Sequence, residues 1–232
     1  MKAGAGKSEI VLAEEYLEIE DFAVIHRTLN ARAVVIESGQ TVVLLSLEVT
    51  SLPDEETLAI RQKIAKKYPV KESNIWVCVT HTFSAPHLLP DFVLKEKEKT
   101  AQKAKYREEL INASLEAVGK GFADLQNASI GYGDGYSMVN CSRDVQLEDG
   151  WWVGIDGPGL SDHRVFVVRI NKENGTPLAA ASIPVWWSIS PVINTWAPFA
   201  IASSTSLFPE PGQIAARCTM RLVSPNTFTA SV

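Results

Sequence analysis

The pattern of apolar positions changes period several times along the chain, and each change marks an element. Two β-branched runs, "RAVVIES" and "TVVLLSLEV", are separated by the short turn "SGQ" and read as a hairpin or a pair of adjacent strands. "SLPDEETLAIRQKIAKKY" then takes up helical spacing. Ser51 with Asp54 three residues on forms a capping signal, Pro53 falls in the first turn where its missing N–H is harmless, and Lys66 and Lys67 suit the C-terminal end. This helix ends before Pro69. "NIWVCVT", residues 74 to 80, is a continuous apolar run of the buried-strand type, and the loop "HTFSAPH" leads from it into a long charged helix from about Asp91 to Lys120. Further on, "ASIGYGDGY" reads as a glycine-rich strand and turn, "HRVFVVRIN" as a strand, and "ENGTP" as a turn into "LAAASIPVWW". The predicted class is α/β, one mixed β-sheet flanked by helices.

The 232 residues, 46% of them hydrophobic, are enough for one large domain or two small ones with a real core. The net charge of −5 and the absence of a basic stretch with interleaved aromatics exclude a nucleic-acid footprint. "MKAGAGKSEIVLAEEYLEIED" is broken by acidic residues before any apolar core builds up, so neither a secretory leader nor a transmembrane segment is predicted and the expected location is cytoplasmic. Cys78, Cys141 and Cys218 are odd in number and widely spaced, which predicts reduced thiols rather than a disulfide framework. "GAGKS" at residues 4 to 8 imitates the end of a phosphate-binding loop. That loop needs a strand before it, and with Met1 five residues ahead of Gly6 the expectation is a flexible terminus.

Composition changes again near residue 181. After it the only charged residues are Glu210, Arg217 and Arg221, six of the 12 prolines are found there, and neither the 3.6 nor the 2.0 period persists. The expected organisation is an α/β domain over 1–182 and a low-charge Ser/Thr/Pro-rich tail over 183–232. A disordered surface segment and an ending out of frame both fit that tail.

"IHRTLNARAVVIESG", "VVLLSLEVTSL", "VCVTHTFSAPH", "VNCSRD" and "PGLSDHRVFVVRINKENGTPLAA", in this order, resemble the N-terminal catalytic region of the neutral/alkaline non-lysosomal ceramidases over about residues 9 to 182. The resemblance implies a zinc amidohydrolase that splits the N-acyl amide of ceramide or a related small amide or lipid, in a catalytic domain that is incomplete here. It makes His81 a zinc ligand, whose metal would bring the pKa of bound water to about 7 for attack on the amide. Arg143 becomes the catalytic residue that steadies the carbonyl oxygen as it gains charge, and Asn140 its neighbour at the substrate.

The departures matter as much as the matches. Phe83 takes the place of the motif's second histidine, and Trp186, in "PVWWS", stands where another ligand belongs; the glutamate and tyrosine ligands would lie downstream of Val232. With His81 alone, and His87 as a weaker second candidate, zinc is expected to bind weakly or not at all, since a catalytic site normally has three protein ligands. Glu48 either orients the histidine loop or faces water at a strand end. Trp151 and Trp152, in "DGWWVGIDGPG", either wall an acyl chain as substrate-binding residues or pack in the core. His26 and His163 read as structural or exposed, and Arg143 has Asp144 and Asp162 as alternative partners. Three functions stay open: a ceramidase-like amidase, a homologue that binds a lipid or small amide without turnover, and an inactive fragment.

Overall fold

The computed structural model describes residues 1–14, 17, 19, 22, 24–88, 101–138, 141–184, 200–203, 219–224 and 227–231. Its first element corrects the reading of "GAGKS" as a loose end. Lys2–Ile10 is strand β1, which pairs along its whole length with β2, Leu29–Ser38, and lies inside the sheet. Ala3 and Ala5 point to one face, while Gly4, Gly6, Ser8 and Ile10 point to the other. On that second face lies helix α2, Ala101–Ala123. A Cβ on Gly4 would stand 2.1 Å from the Gly121 carbonyl oxygen, and one on Gly6 would stand 2.0 Å from that of Ala117. The glycines therefore serve helix-to-strand contact, bringing two backbones closer than any side chain allows.

β2 turns through Gly39, whose φ of 72° suits the tight connection, into β3, Gln40–Leu47, as the "SGQ" signal predicts. Helix α1, Asp54–Lys67, is the crossover that brings β4, Ile75–Val79, parallel to β3. Its N-terminal boundary residue is Pro53, and Ser51 does not cap it: the Ser51 hydroxyl donates instead to the Leu88 carbonyl, 3.2 Å away. β4 is less buried than its apolar run predicts, because Trp76 on its far face is 62% exposed. The two helices cover the same face of β1 to β4. There Ile60 and Ile64 of α1 and Leu110, Ala117 and Val118 of α2 bury Val35, Val43, Leu45 and Leu47 completely.

β5, Gln126–Tyr136, touches β1 only at Gln126 and Asn127 and then leaves it to pair with β8, Arg164–Lys172. This divergence bends the sheet. β8 pairs with β9, Pro177–Pro184, and β9 with β10, Ala200–Ser203, so that β9 and β10 return across the helix-free face of β1 to β3. A second, smaller core of Ala3, Val34, Ile170, Leu178, Ala179 and Ala181 forms there. Between β5 and β8 a hairpin of β6, Ser142–Leu147, and β7, Gly150–Asp156, pairs only with itself. Of the region after 182, the described stretches also include β11, Thr219–Ser224, and β12, Thr227–Ser231, the latter parallel to β5. The sheet is mixed, in keeping with the α/β class, and among the described residues no helix is long and apolar enough to cross a membrane.

Candidate functional site

β3 and β4 are parallel neighbours, and the loops at their carboxyl ends meet. Loops in that position form the usual ligand crevice of an open α/β sheet. Thr80 continues the ladder by donating its N–H to the Leu47 carbonyl at 2.9 Å, after which the chain turns sharply at His81, whose φ is 57°. The Thr50 hydroxyl fixes the turn, 2.5 Å from the Thr82 carbonyl and 3.3 Å from that of Ala85. Buried Ala85 and Leu88 then anchor the loop's far end. His81 Nδ1 lies 2.6 Å from the Thr50 carbonyl oxygen. Because a carbonyl only accepts, Nδ1 carries the proton in this contact, which leaves Nε2 as the ring nitrogen a metal could take.

A left-handed backbone is costly for a residue with a Cβ and free for glycine. His81→Gly is therefore expected to be more stable than His81→Ala by about 1 kcal/mol, read from paired urea denaturation curves. Equal midpoints, or the reverse order, would show that the turn does not hold this conformation.

The His81 imidazole is exposed and touches the ring of Phe83, at 5.1 Å between centroids, which in turn stands 6.3 Å from His87. A phenyl ring, which can neither ligate a metal nor pass a proton, is thus packed against both histidines. Among the described residues no three His, Cys, Asp or Glu side chains converge. The described residues do not make a zinc site, and no chemical step is assigned to one. Trp186, at the position matched to a further ligand, and Asn140 lie outside the described residues.

Beside this loop opens a cleft of about 650 Å³. Its apolar wall comes from the end of β1 and the segment after it, with Ile10, Leu12, Leu17, Ile19 and Phe22, and Tyr106 of α2 closes one side. Thr80, Thr82, Ser84 and Pro86 present the loop to the cleft, whereas His81, Phe83 and His87 are not part of its lining. The polar wall is built by Asn30, Arg32 and Glu48. The Glu48 carboxylate pairs with the Arg32 guanidinium and accepts from the Asn30 backbone N–H at 2.9 Å and the Asn30 side-chain amide at 2.8 Å. Of the two readings of Glu48, neither describes this geometry fully: a quarter of the side chain is exposed, and its hydrogen bonds go to Asn30 and Arg32. Asn30 Oδ1, Arg32 Nε and Thr80 Oγ1 are buried and have no hydrogen-bond partner among the described residues, so three residues of the cleft wall carry unmet capacity.

Asn30, Arg32 and Tyr106 were not singled out by the sequence pattern. The signal for the first two was Asn and Arg at alternate positions of a β-branched strand, sharing the face of Val34. His26, read as structural or exposed, is exposed and also lines the cleft.

Arg143, Trp151 and Trp152 all lie on the β6–β7 hairpin, and none of them lines the cleft. Arg143 Nε donates to the Gly154 carbonyl across the hairpin. Asp162, its suggested partner, is held by Arg164 at 2.7 Å, and the hydrogen bonds from that guanidinium keep the carboxyl down at about 2. Trp151 and Trp152 are 68% and 54% exposed, so they are not core residues. His163 Nδ1 faces the Ser137 carbonyl at 3.1 Å, a structural contact.

Among solved structures, the fold is similar to that of a ceramidase complexed with C2, at 23% sequence identity and a TM-score of 0.60, over 76% of this chain and 30% of that one. It is likewise similar to the neutral ceramidase from Pseudomonas aeruginosa, at 23% identity and a TM-score of 0.58, over 77% of this chain and 30% of that one. The chain therefore shares a ceramidase-like fold and spans about a third of the length of these enzymes. No family model and no curated protein matches it.

Proposed function

We propose that this chain carries the amide-binding part of a ceramidase-like amidohydrolase, taking an N-acyl lipid or a related small amide into the cleft without hydrolysing it. The observation that supports this most is the cleft itself: a long apolar wall ending on the Asn30, Arg32 and Thr80 side chains, each with a polar atom that has no hydrogen-bond partner among the described residues. An amide offers one acceptor and one donor, which suit the polar side chains of Asn30, Arg32 and Thr80 in the cleft lining, while the acyl chain lies along Leu12, Leu17 and Ile19. Because Glu48 already neutralises Arg32, a neutral ligand is favoured over a carboxylate.

Hydrolysis is set apart by the ligand count. His81 supplies one nitrogen, and Phe83 occupies the neighbouring place. After dialysis the chain is expected to retain fewer than about 0.2 zinc per molecule, since three or four ligands are the norm for a held metal. A short-chain ceramide should bind with no amidase activity above background, and Phe83→His should restore none. Calorimetry and metal analysis check both. Stoichiometric zinc that disappears in His81→Ala, together with turnover, would reinstate the zinc amidase reading, with Arg143 as the residue to test at the oxyanion. Absence of ceramide binding in a folded sample would remove the proposal.

A further inference from the structure

The β6–β7 hairpin is the most apolar exposed feature among the described residues, and the cleft makes no use of it. β7 alternates Trp151, Val153 and Ile155 on one face with Trp152 on the other, and these four are 68%, 81%, 76% and 54% exposed. Leu147 at the turn and Leu160 in the following loop add to the patch, at 53% and 76%. Among the described residues no third strand joins the ribbon: β6 and β7 pair with each other, and the hydrogen bonds run within the hairpin, such as Arg143 to Gly154 and Trp152 Nε1 to Asp149 at 2.9 Å. A two-stranded ribbon with apolar side chains on both faces gains little by itself in water, so a contiguous patch of this kind calls for a cover.

We propose that this hairpin seats the protein on an electrically neutral lipid surface. The proposal rests on the lipid-amide reading of the cleft, because a ligand with a long acyl chain is presented to the protein in such a surface and not free in water. Two features of the hairpin select that cover. Tryptophan pairs an apolar ring system with an N–H that stays near water, the combination favoured at the boundary between headgroups and acyl chains. Around it, Asp144, Glu148, Asp149 and Asp156 outweigh the single base Arg143, and the whole chain carries −5, so an anionic surface is repelled. The same acids disfavour a second copy of this chain, since apposed hairpins would bring like charges together.

The test uses the full chain with vesicles of pure phosphatidylcholine and with vesicles to which phosphatidylserine has been added, separated by flotation. The chain is expected to float with phosphatidylcholine and to gain nothing from phosphatidylserine. Val153→Lys should weaken the association by about tenfold or more, because a charge replaces apolar area at the contact. Ile155→Lys, on the same face, should do the same; whichever variant keeps the native melting temperature supplies the comparison. Failure to float in lipid excess, flotation that requires phosphatidylserine, or flotation that neither variant weakens would overturn the proposal. So would a dimer in sedimentation that Val153→Lys dissolves, because the patch would then be a protein interface. Binding of a water-soluble short-chain ceramide without vesicles reports on the cleft alone, so its loss with flotation intact removes the lipid-amide reading and leaves the surface contact standing.

Discussion

Gly6→Ala is expected to lower the stability of this protein by roughly 3 kcal/mol, near the upper end of what overpacking costs, and the melting temperature by about 10 °C. The methyl group would stand 2.0 Å from the Ala117 carbonyl oxygen and 2.6 Å from the Gly121 backbone nitrogen. Neither can step aside as a flexible side chain would. Helix α2 would have to lift from β1, and with it the packing of Leu110, Ala117 and Val118 on Val35 would loosen. Gly39→Ala is the control: nothing lies within 4 Å of the added carbon, and only the left-handed φ of 72° opposes it, for about 1 kcal/mol. Thermal and urea unfolding of the two variants would decide. If Gly6→Ala melts with the native protein, the close strand-to-helix approach is not real.

The second large effect concerns the polar wall of the cleft. Arg32 and Glu48 are each mostly withdrawn from water, with side chains 17% and 25% exposed, and Glu48 also holds Asn30. Arg32→Met strands a carboxylate with two amide donors, and Glu48→Gln strands a guanidinium. Each single change is expected to cost about 2 kcal/mol, below the 3 to 5 of a fully buried pair because solvent reaches part of both groups. The double variant should cost clearly less than the two losses added, since it leaves no unpaired charge. Ceramide binding should fall in all three. A stability cycle that is strictly additive would show the pair to be energetically silent, and unchanged ceramide binding would move the ligand away from this wall.

Much of the fold was legible from local patterns. The β2–β3 hairpin follows from two β-branched runs and a glycine turn, and α1 from helical spacing with acids at one end and lysines at the other. The Ser51 cap was not legible, because a serine hydroxyl has several carbonyls and N–H groups within reach and only the packed loop shows that the Leu88 carbonyl takes it. The hairpin tryptophans were ambiguous for a related reason: alternation tells which residues share a face but not whether anything covers that face.

The sequence by itself determined β2 to β4, the two helices, β5, β8 and the mixed α/β class, and the chemistry at hand, with two histidines on a strand-end loop and a phenylalanine between them. Those are local properties, set by side-chain spacing and by which atoms a residue owns. Only the tertiary structure decided that "GAGKS" is a buried strand, since its glycines matter through Gly121 and Ala117, more than a hundred residues away. It alone turned His81 toward the Thr50 carbonyl and away from the cleft, and brought Asn30, Arg32, Glu48 and Thr80 together. Such meetings depend on β3 and β4 running parallel and on the sheet bending at β5, and the pairing of distant strands is fixed by the packing of the whole core rather than by any short stretch of residues.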